Sequence, residues 1–390
     1  MNKLKKKIKV LIPTGTRADF PRIEPVIELL YLDKSIELQI ACTGSHLLNS
    51  HGNTYEYLRR KYKNYVKKFK MFDDPPNDTV LGVAKSFSNC CAGFSLVLKK
   101  FDPDVCLITV DRIETLAFAS VCSIMNYPIF HIQGGELSGT IDENIRHAVS
   151  KLSHFHSTAN EDARLRLIKM GENKNRVFNT GCPYSKKLID TQKKTSQTSK
   201  IVNNFLKNNN LSKNYSIFCY HPVTTDKNNY GYSNIRFEKI FSQLLQQGDV
   251  ITIHPNSDLG FSFFSNKIIQ KSKIKLFKNI DPNIFLALLS LSKCLIGNSS
   301  SGIREACYFG TPVINIGDRQ KGRLAGKNVL NCKPTTSDII KCIKIVFTNY
   351  SRFPVENLYG EDKAAKKIVK IIKNTNWRKL ELSKTFVDKI

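Results

Sequence analysis

The sequence predicts an α/β protein made of two Rossmann-like domains, each a parallel sheet covered by helices, facing a shared cleft. Three observations lead there. Short apolar runs alternate with longer stretches of helical periodicity along nearly the whole chain. The alternation stops in a polar, repetitive stretch, "DTQKKTSQTSKIVNNFLKNNNLSKN" (190–214), and then starts again. The chain's 390 residues also exceed what one ordinary hydrophobic core organises.

In chain order, "IKVLIPT" (8–14), "IELQIAC" (36–42), "DVCLITV" (104–110), "YPIFHI" (127–132) and "RVFNTG" (176–181) read as strands. They are near-continuous apolar runs bounded by turn residues, the pattern of strands buried on both faces. Helical periodicity fills the intervals at 21–32, 78–100, 112–125, 142–152 and 160–170. The second half repeats the scheme, with strands at 215–221, 249–255, 274–279, 293–299 and 311–317. Its helices fall at 234–247, 282–291, 301–309, 336–348 and 361–374. The expected division is an N-terminal domain over 1–189 and a linker over 190–214 with room for one short helix. A C-terminal domain over 215–360 follows, then a terminal helical segment over 361–390.

Composition narrows the function classes. Hydrophobic residues make up 41% and charged residues 24%, as in ordinary globular proteins. No apolar run reaches the ~18–20 residues that span a bilayer. The opening "MNKLKKKIKVLIPTG" meets polar residues too soon for a signal peptide, so a cytoplasmic protein without a membrane partner is expected. Eleven scattered cysteines, several inside apolar runs (Cys106, Cys122, Cys219, Cys294), read as buried free thiols in a reducing compartment. His154 and His156 flank Phe155 on one face of a strand but have no third ligand nearby, so no metal site is expected. The net charge of +27 raises a nucleic-acid-binding alternative. Against it, the lysines are spread among asparagines and isoleucines, without recognition motifs for nucleic acid. The same positive field attracts a small anionic substrate.

In open α/β sheets ligands bind beyond the carboxyl ends of the strands, so the loops there are the candidates for chemistry. "PTGTRADF" (13–20) sets Gly15 and Arg17 before a helix N-terminus, a seat for a phosphate, or else a helix start capped by Asp19. "GNSSSGIREACYFGTPVINIG" (297–317) carries Ser299, Ser300, Ser301 and Gly302 between a strand and a helix, with Glu305 one turn on. Small residues admit a diphosphate to first-turn amides, and a carboxylate one turn later meets ribose hydroxyls; a Ser-Glu capping box is the structural alternative. Asp111 and Arg112 follow one strand, Glu136 the next, and His221 the first strand of the second half. Carboxylates and an imidazole so placed form a general acid/base set.

Together, "GTRADF", "DRIETLA", "HIQGGELSGTIDENIRHAVSKLSH", "NTGCPYSKKL", "YHPVTTD", "IHPNSD" and "GNSSSGIREACYFGTPVINIGDRQKGR" resemble the hydrolysing UDP-N-acetylglucosamine 2-epimerases. These include the enzymes of bacterial sialic- and legionaminic-acid pathways, which feed surface polysaccharides, and the epimerase half of the animal epimerase/kinase. The resemblance runs from about residue 8 to about residue 335. It implies a GT-B-type fold in which the terminal helix within 361–390 crosses back, a homodimer or homotetramer, no metal or redox cofactor, and a nucleotide-sugar substrate. The implied reaction converts a nucleotide-activated 2-acetamido sugar, foremost UDP-GlcNAc, to the free manno-configured sugar and nucleoside diphosphate through a 2-acetamidoglycal. A non-hydrolysing 2-epimerase and a GT-B glycosyltransferase are the alternatives. By position, Asp111, Glu136, Asp142 and His221 match the family's catalytic set. Arg17, Arg112, His254, Asn256, Ser299, Ser300, Ser301, Gly302, Glu305, Arg319 and Arg323 match positions at substrate or nucleotide. Arg146 and His147 read equally as site residues or as supports. Two departures stand out: many relatives have Gly where this chain has Val110, and His where it has Gln133. "GFSFFSNKIIQ" (260–270) lacks the arginines of the animal enzyme's feedback site, so no inhibition by a CMP-sialic acid is expected.

Overall fold

Apolar strands of three to seven residues cannot bury both faces alone, and helices supply the cover on each side. The computed structural model describes residues 6–388 except 17–18, 50–52, 75, 78, 224–233, 256–273 and 279. It separates into unit 1, comprising Met1–Glu136, Asp142–Lys186 and Tyr359–Ile390, and unit 2, comprising Leu137–Ile141 and Lys187–Leu358.

Unit 1 is built on β1 (Ile8–Thr14), β2 (Ile36–Cys42), β3 (Val66–Lys68), β4 (Val105–Thr109), β5 (Ile129–Ile132), β6 (Phe155–Thr158) and β7 (Val177–Asn179). Their order is β3-β2-β1-β4-β5-β6-β7, with every pairing parallel. The order reverses at β1 and β4, the topological switch point beside which ligands bind in such sheets. Successive residues of β1 face opposite ways. Val10 and Ile12 join Ile23 and Ile27 of α1 (Phe20–Leu32) on one face, and Leu11 joins Phe94 and Leu98 on the other. That second face is covered by α3 (Val80–Phe101) and α4 (Ile113–Ile124). By length and composition α3 is apolar enough to cross a bilayer, which the count of unbroken apolar residues did not anticipate. In the structure its Cys90, Phe94 and Leu98 stripe is fully buried on the sheet. α2 (Tyr55–Tyr62), α5 (Ile141–Leu152) and α6 (Glu161–Lys169) complete the N-terminal part of the chain.

In unit 2, β8 (Tyr215–Cys219), β9 (Asp249–Ile253), β10 (Lys275–Phe277), β11 (Leu295–Gly297), β12 (Val313–Ile316) and β13 (Val329–Cys332) form a second parallel sheet ordered β10-β9-β8-β11-β12-β13. Its core gathers Phe218, Ile240, Phe241, Ile296, Ile314 and Ile343, with α9 (Phe237–Leu245) contributing Ile240 and Phe241.

The stretch expected as a linker departs most from the sequence reading. It folds into the end of α7 (Ser185–Lys193) and all of α8 (Thr195–Asn208), and α8 packs on α10 (Pro282–Leu291). Thr198, Val202 and Leu206 recur every four residues and are the buried face of α8. That stripe was in the sequence, masked by the surrounding lysines and asparagines. β3 and β13 were also missed, being three or four residues long and carrying lysine or asparagine, whereas β6 falls where Phe155 and His156 were read as part of a strand. After α11 (Ser300–Arg304) and α12 (Thr336–Thr348), the chain rejoins unit 1. There α13 (Ala364–Asn374) sets Ala365, Ile368 and Ile372 against the face made by α1.

His154 and His156 have structural partners. His154 Nδ1 accepts the Ile129 N–H at 3.2 Å, and its Nε2 donates to the Leu382 carbonyl at 3.1 Å. His156 Nε2 lies 2.9 Å from Glu172, whose carboxylate also receives Lys151 at 2.9 Å and Lys384 at 2.6 Å. Burial pushes the Glu172 pKa up, but His156, Lys384 and Lys151 outweigh it and hold the group at about 2. A carboxyl depressed from 4.5 stabilises the fold above pH 4.5, and that stability is lost as pH falls towards 2. The difference corresponds to roughly 3 kcal/mol. Urea unfolding of Glu172→Gln should therefore show a flatter loss of stability than the parent between those pH values. Parallel curves would refute the linkage.

Candidate active site

The loop after β1 closes on itself. The Asp19 carboxylate accepts the N–H groups of Gly15 at 3.0 Å and Thr16 at 2.9 Å, and the hydroxyls of Thr16 at 3.0 Å and Thr14 at 3.2 Å. Asp19 stands at the N-cap of α1 but makes no side-chain cap bond to the helix; its carboxylate turns back and takes the loop amides that precede it. Behind it His46 is buried, with Nε2 2.9 Å from the Thr14 hydroxyl and Nδ1 2.6 Å from that of Thr54. Burial lowers its pKa to about 4, against the pull of Asp19, so the ring is neutral near pH 7. Gly44 is required here: at φ +61°, a Cβ would stand 2.3 Å from the Gly15 carbonyl oxygen. Arg17 lies outside the described residues, as do Asn256 and the 260–270 segment.

The loops after β4 and β5 hold the carboxylates. Arg146 of α5 is 1% exposed, donates Nη1 to the Glu136 carbonyl oxygen at 2.7 Å, and pairs through Nη2 with the Asp111 carboxylate. Burial works against this cation. Asp111 first, then Glu136 and Asp142, overcome it, and the guanidinium stays charged. One buried arginine thus sits in the field of three of the four expected catalytic groups. The sequence reading had left Arg146 undecided between site and support.

Asp111 is aimed by an unusual backbone. Val110 has φ +65°, a conformation that costs a β-branched residue roughly 1–2 kcal/mol. Val110 N–H donates to the Ile132 carbonyl at 3.2 Å, and its own carbonyl accepts from His131 Nε2 at 3.1 Å. A carbonyl only accepts, so Nε2 carries the proton and Nδ1 accepts from the Ser150 hydroxyl at 3.0 Å. Burial lowers the His131 pKa to about 3, keeping that tautomer uncharged. Gln133 is also left-handed, at φ +68°, and donates Nε2 to Cys182 Sγ at 3.0 Å. Both departures from the family pattern are thus positive-φ positions at neighbouring strand ends. Val110→Gly should raise stability by about 1 kcal/mol, since glycine adopts this φ without strain. A lowered urea midpoint would show that the valine side chain contributes more than its backbone costs.

Arg112 Nε lies 3.5 Å from Glu114, which is 2% exposed and packs beneath Gly15. Glu114 and His131 escaped the sequence reading because each looks like an ordinary position of a helix or strand. His147 pairs with Glu143 at 3.8 Å along α5. His254 is partly buried and places Nδ1 2.9 Å from the Pro255 carbonyl oxygen.

In unit 2 the strand ends at the switch point, β8 and β11, are joined by Asn298. Its Oδ1 accepts His221 N–H at 2.6 Å and its Nδ2 donates to the His221 carbonyl at 2.8 Å. Arg319 Nη1 at 3.2 Å and Gln320 Nε2 at 3.0 Å both donate to the Asn298 carbonyl. Close strand contact demands Gly297, where at φ +141° a Cβ would meet the Cys219 carbonyl oxygen at 1.9 Å. Ser299 caps α11 by accepting Ser301 N–H at 3.3 Å, and Gly302 lets the helix approach Val313. Glu305 ends that five-residue helix and is buried, so it lies outside the N3 position that a capping box requires. Arg323 Nε donates to the Leu137 carbonyl at 3.1 Å, and Gly139 N–H donates to that of Arg319 at 3.1 Å. Leu137–Ile141 therefore belongs to unit 2 while Glu136 and Asp142, on either side, belong to unit 1. Asn298 and Gln320 were overlooked although "GNSSSG" and "GDRQKGR" both had been singled out. An amide side chain that bonds backbone groups leaves no pattern in sequence.

The chain is similar in sequence and fold to known proteins. A protein similar to this chain, 32% identical over 97% of it and 99% of the relative, is a UDP-N-acetylglucosamine 2-epimerase of Neisseria meningitidis serogroup B. Another, 35% identical over 83% of this chain and 84% of the relative, is a GDP/UDP-N,N'-diacetylbacillosamine 2-epimerase (hydrolyzing) of Campylobacter jejuni. The fold matches that of the Methanocaldococcus jannaschii UDP-GlcNAc 2-epimerase, solved with UDP-GlcNAc and UDP. The TM-score is 0.78 at 20% identity, over 94% of this chain and 100% of that one. The family model described as UDP-N-acetylglucosamine 2-epimerase matches residues 30–373, and on these grounds the chain belongs to the UDP-N-acetylglucosamine 2-epimerase family.

Proposed function

We propose that this protein is a hydrolysing 2-epimerase of a UDP-linked 2-acetamido sugar, releasing the free manno-configured sugar and UDP. The observation that carries the reading is the Arg146 cluster, which gathers Asp111, Glu136 and Asp142 at the carboxyl ends of β4 and β5 around one buried cation. The hydrolysing mode is supported by the name and 35% identity of the Campylobacter jejuni relative. Because that relative's name carries a diacetamido sugar, UDP-N-acetylglucosamine and its 2,4-diacetamido-6-deoxy counterpart are the two substrates to compare. The eleven free thiols fit a reducing, cytoplasmic setting.

In the proposed chemistry one carboxylate, Asp111 or Glu136, removes the C2 proton while the C1–O bond to the diphosphate breaks, forming the C1=C2 bond of a glycal. Water then adds its oxygen to C1, and a proton returns to C2 on the opposite face, with Asp142 assisting hydration. The C2 proton is weakly acidic, so C–O cleavage runs ahead and positive charge develops at C1, where carboxylates stabilise it. His221, Arg112, Arg319 and Arg323 are assigned to the departing diphosphate, Ser299, Ser300, Ser301 and Gly302 to its oxygens, and Glu305 to ribose. Arg17, His254 and Asn256 are kept as substrate contacts on the family resemblance alone.

Proton NMR in heavy water tests this directly. Free 2-acetamido sugar with deuterium at C2, together with UDP, is the expected product. The Neisseria relative's name, which does not specify hydrolysis, favours the runner-up reading of a non-hydrolysing epimerase. Deuterated nucleotide sugar as the sole product would establish that runner-up, and product without deuterium would exclude proton transfer at C2 altogether.

A further inference from the structure

The C-terminal tail carries a half-buried cation that the chemistry above leaves unused. Lys384 Nζ donates to the carbonyls of Ser150 at 3.3 Å, Lys151 at 2.9 Å and Ser153 at 2.6 Å, and to Glu172 at 2.6 Å. The first two carbonyls belong to the last turn of α5, where carbonyls lack intrahelical donors and the helix dipole is negative. A tail lysine, more than two hundred residues away in sequence, therefore caps the helix that carries Asp142 and Arg146. Neighbouring contacts hold it there. The Leu382 carbonyl accepts from His154 at 3.1 Å, Val387 N–H donates to the Gly171 carbonyl at 3.1 Å, and the Phe386 ring lies 4.8 Å from Lys151 Nζ.

α5 is tied to the candidate carboxylates at two further points: Arg146 to Asp111 and the Glu136 carbonyl, and Ser150 through His131 to the Val110 carbonyl. The three anchors lie along 12 residues of one helix, so its axial position sets where Asp111 stands. We propose that Lys384 is a positioning residue for the reaction: by capping α5 it fixes the helix whose Arg146 and Ser150 aim the Asp111 and Glu136 loops. This rests on the reading of the unit 1 carboxylates as the proton-transfer groups. A misplacement of about 1 Å at such groups costs up to ~10²-fold in rate.

The test compares Lys384→Met, Lys384→Arg and Lys373→Met with the parent in UDP release from the nucleotide sugar at 25 °C, each variant first shown folded by circular dichroism. Lys373 is the control because it pairs with Asp33 at 2.6 Å from α13, the helix that precedes the tail. Lys384→Met should lower kcat by about tenfold with KM within twofold, Lys384→Arg should recover most of the loss, and Lys373→Met should match the parent. Equal kcat in Lys384→Met and the parent overturns the proposal, as does an equal loss in Lys373→Met, which would mark a general effect of the tail. If Lys384→Met does not fold, Phe386→Ala loosens the same tail without removing a charge, and an unchanged kcat there overturns the proposal instead. A parent that releases no UDP would sink the reading of the carboxylates, an outcome separate from any difference among the variants.

Discussion

Replacing Arg146 with methionine is expected to lower stability by about 3–5 kcal/mol, the usual cost of removing one partner of a buried ion pair. Turnover should vanish as well. The guanidinium is 1% exposed, and it faces Asp111, Glu136 and Asp142 together. Methionine fills much of the volume but leaves the Asp111 carboxylate, 19% exposed, without its cation, and the Glu136 carbonyl without its donor. Two consequences follow from one change: the carboxylates repel, and the Glu136 loop loses its tether to α5. Arg146→Lys should fall between, because an ammonium keeps the charge but cannot serve two acceptors with the same planar fork. Urea midpoints and UDP-release rates of the two variants provide the check. A methionine variant with the parent's midpoint would mean that the ion pair is solvated in solution.

Glu136→Gln is expected to fold like the parent and lose at least ~10² in turnover, the usual scale of general acid/base catalysis. Folding should survive because glutamine keeps the side chain's volume and the substitution keeps the backbone carbonyl that Arg146 holds. The chemistry should not survive, because an amide neither accepts nor returns the proton at C2. Binding separates the two roles: an unchanged KM with reduced kcat marks loss of an interaction made only in the transition state. Turnover within a factor of a few of the parent would remove Glu136 from proton transfer and leave Asp111 as the base. Accumulated glycal in this variant would place Glu136 at the hydration step.

Much of the fold was legible because burial on both faces writes itself into composition. β1 and β2 appear at the predicted residues, and the helices at 282–291 and 336–348 match to the residue. The site was legible in another way, through chemistry-bearing residues directly behind strands: Asp111 after β4, Glu136 after β5, His221 after β8 and Ser299 after β11. What escaped was the support between them. Glu114, His131 and Asn298 act on backbone groups or on residues distant in the chain, and nothing in their own neighbourhood announces it.

By itself, the sequence determined which strands are buried and which ionisable groups stand at their ends, since hydrophobic period and turn chemistry are local properties of the chain. Only the tertiary structure decided how those groups share charge. Arg146 becomes the centre of the carboxylates, Asp19 takes the amides of the first loop, and Lys384 reaches the end of α5, because a buried ion or an unpaired carbonyl must find a partner wherever the fold brings one.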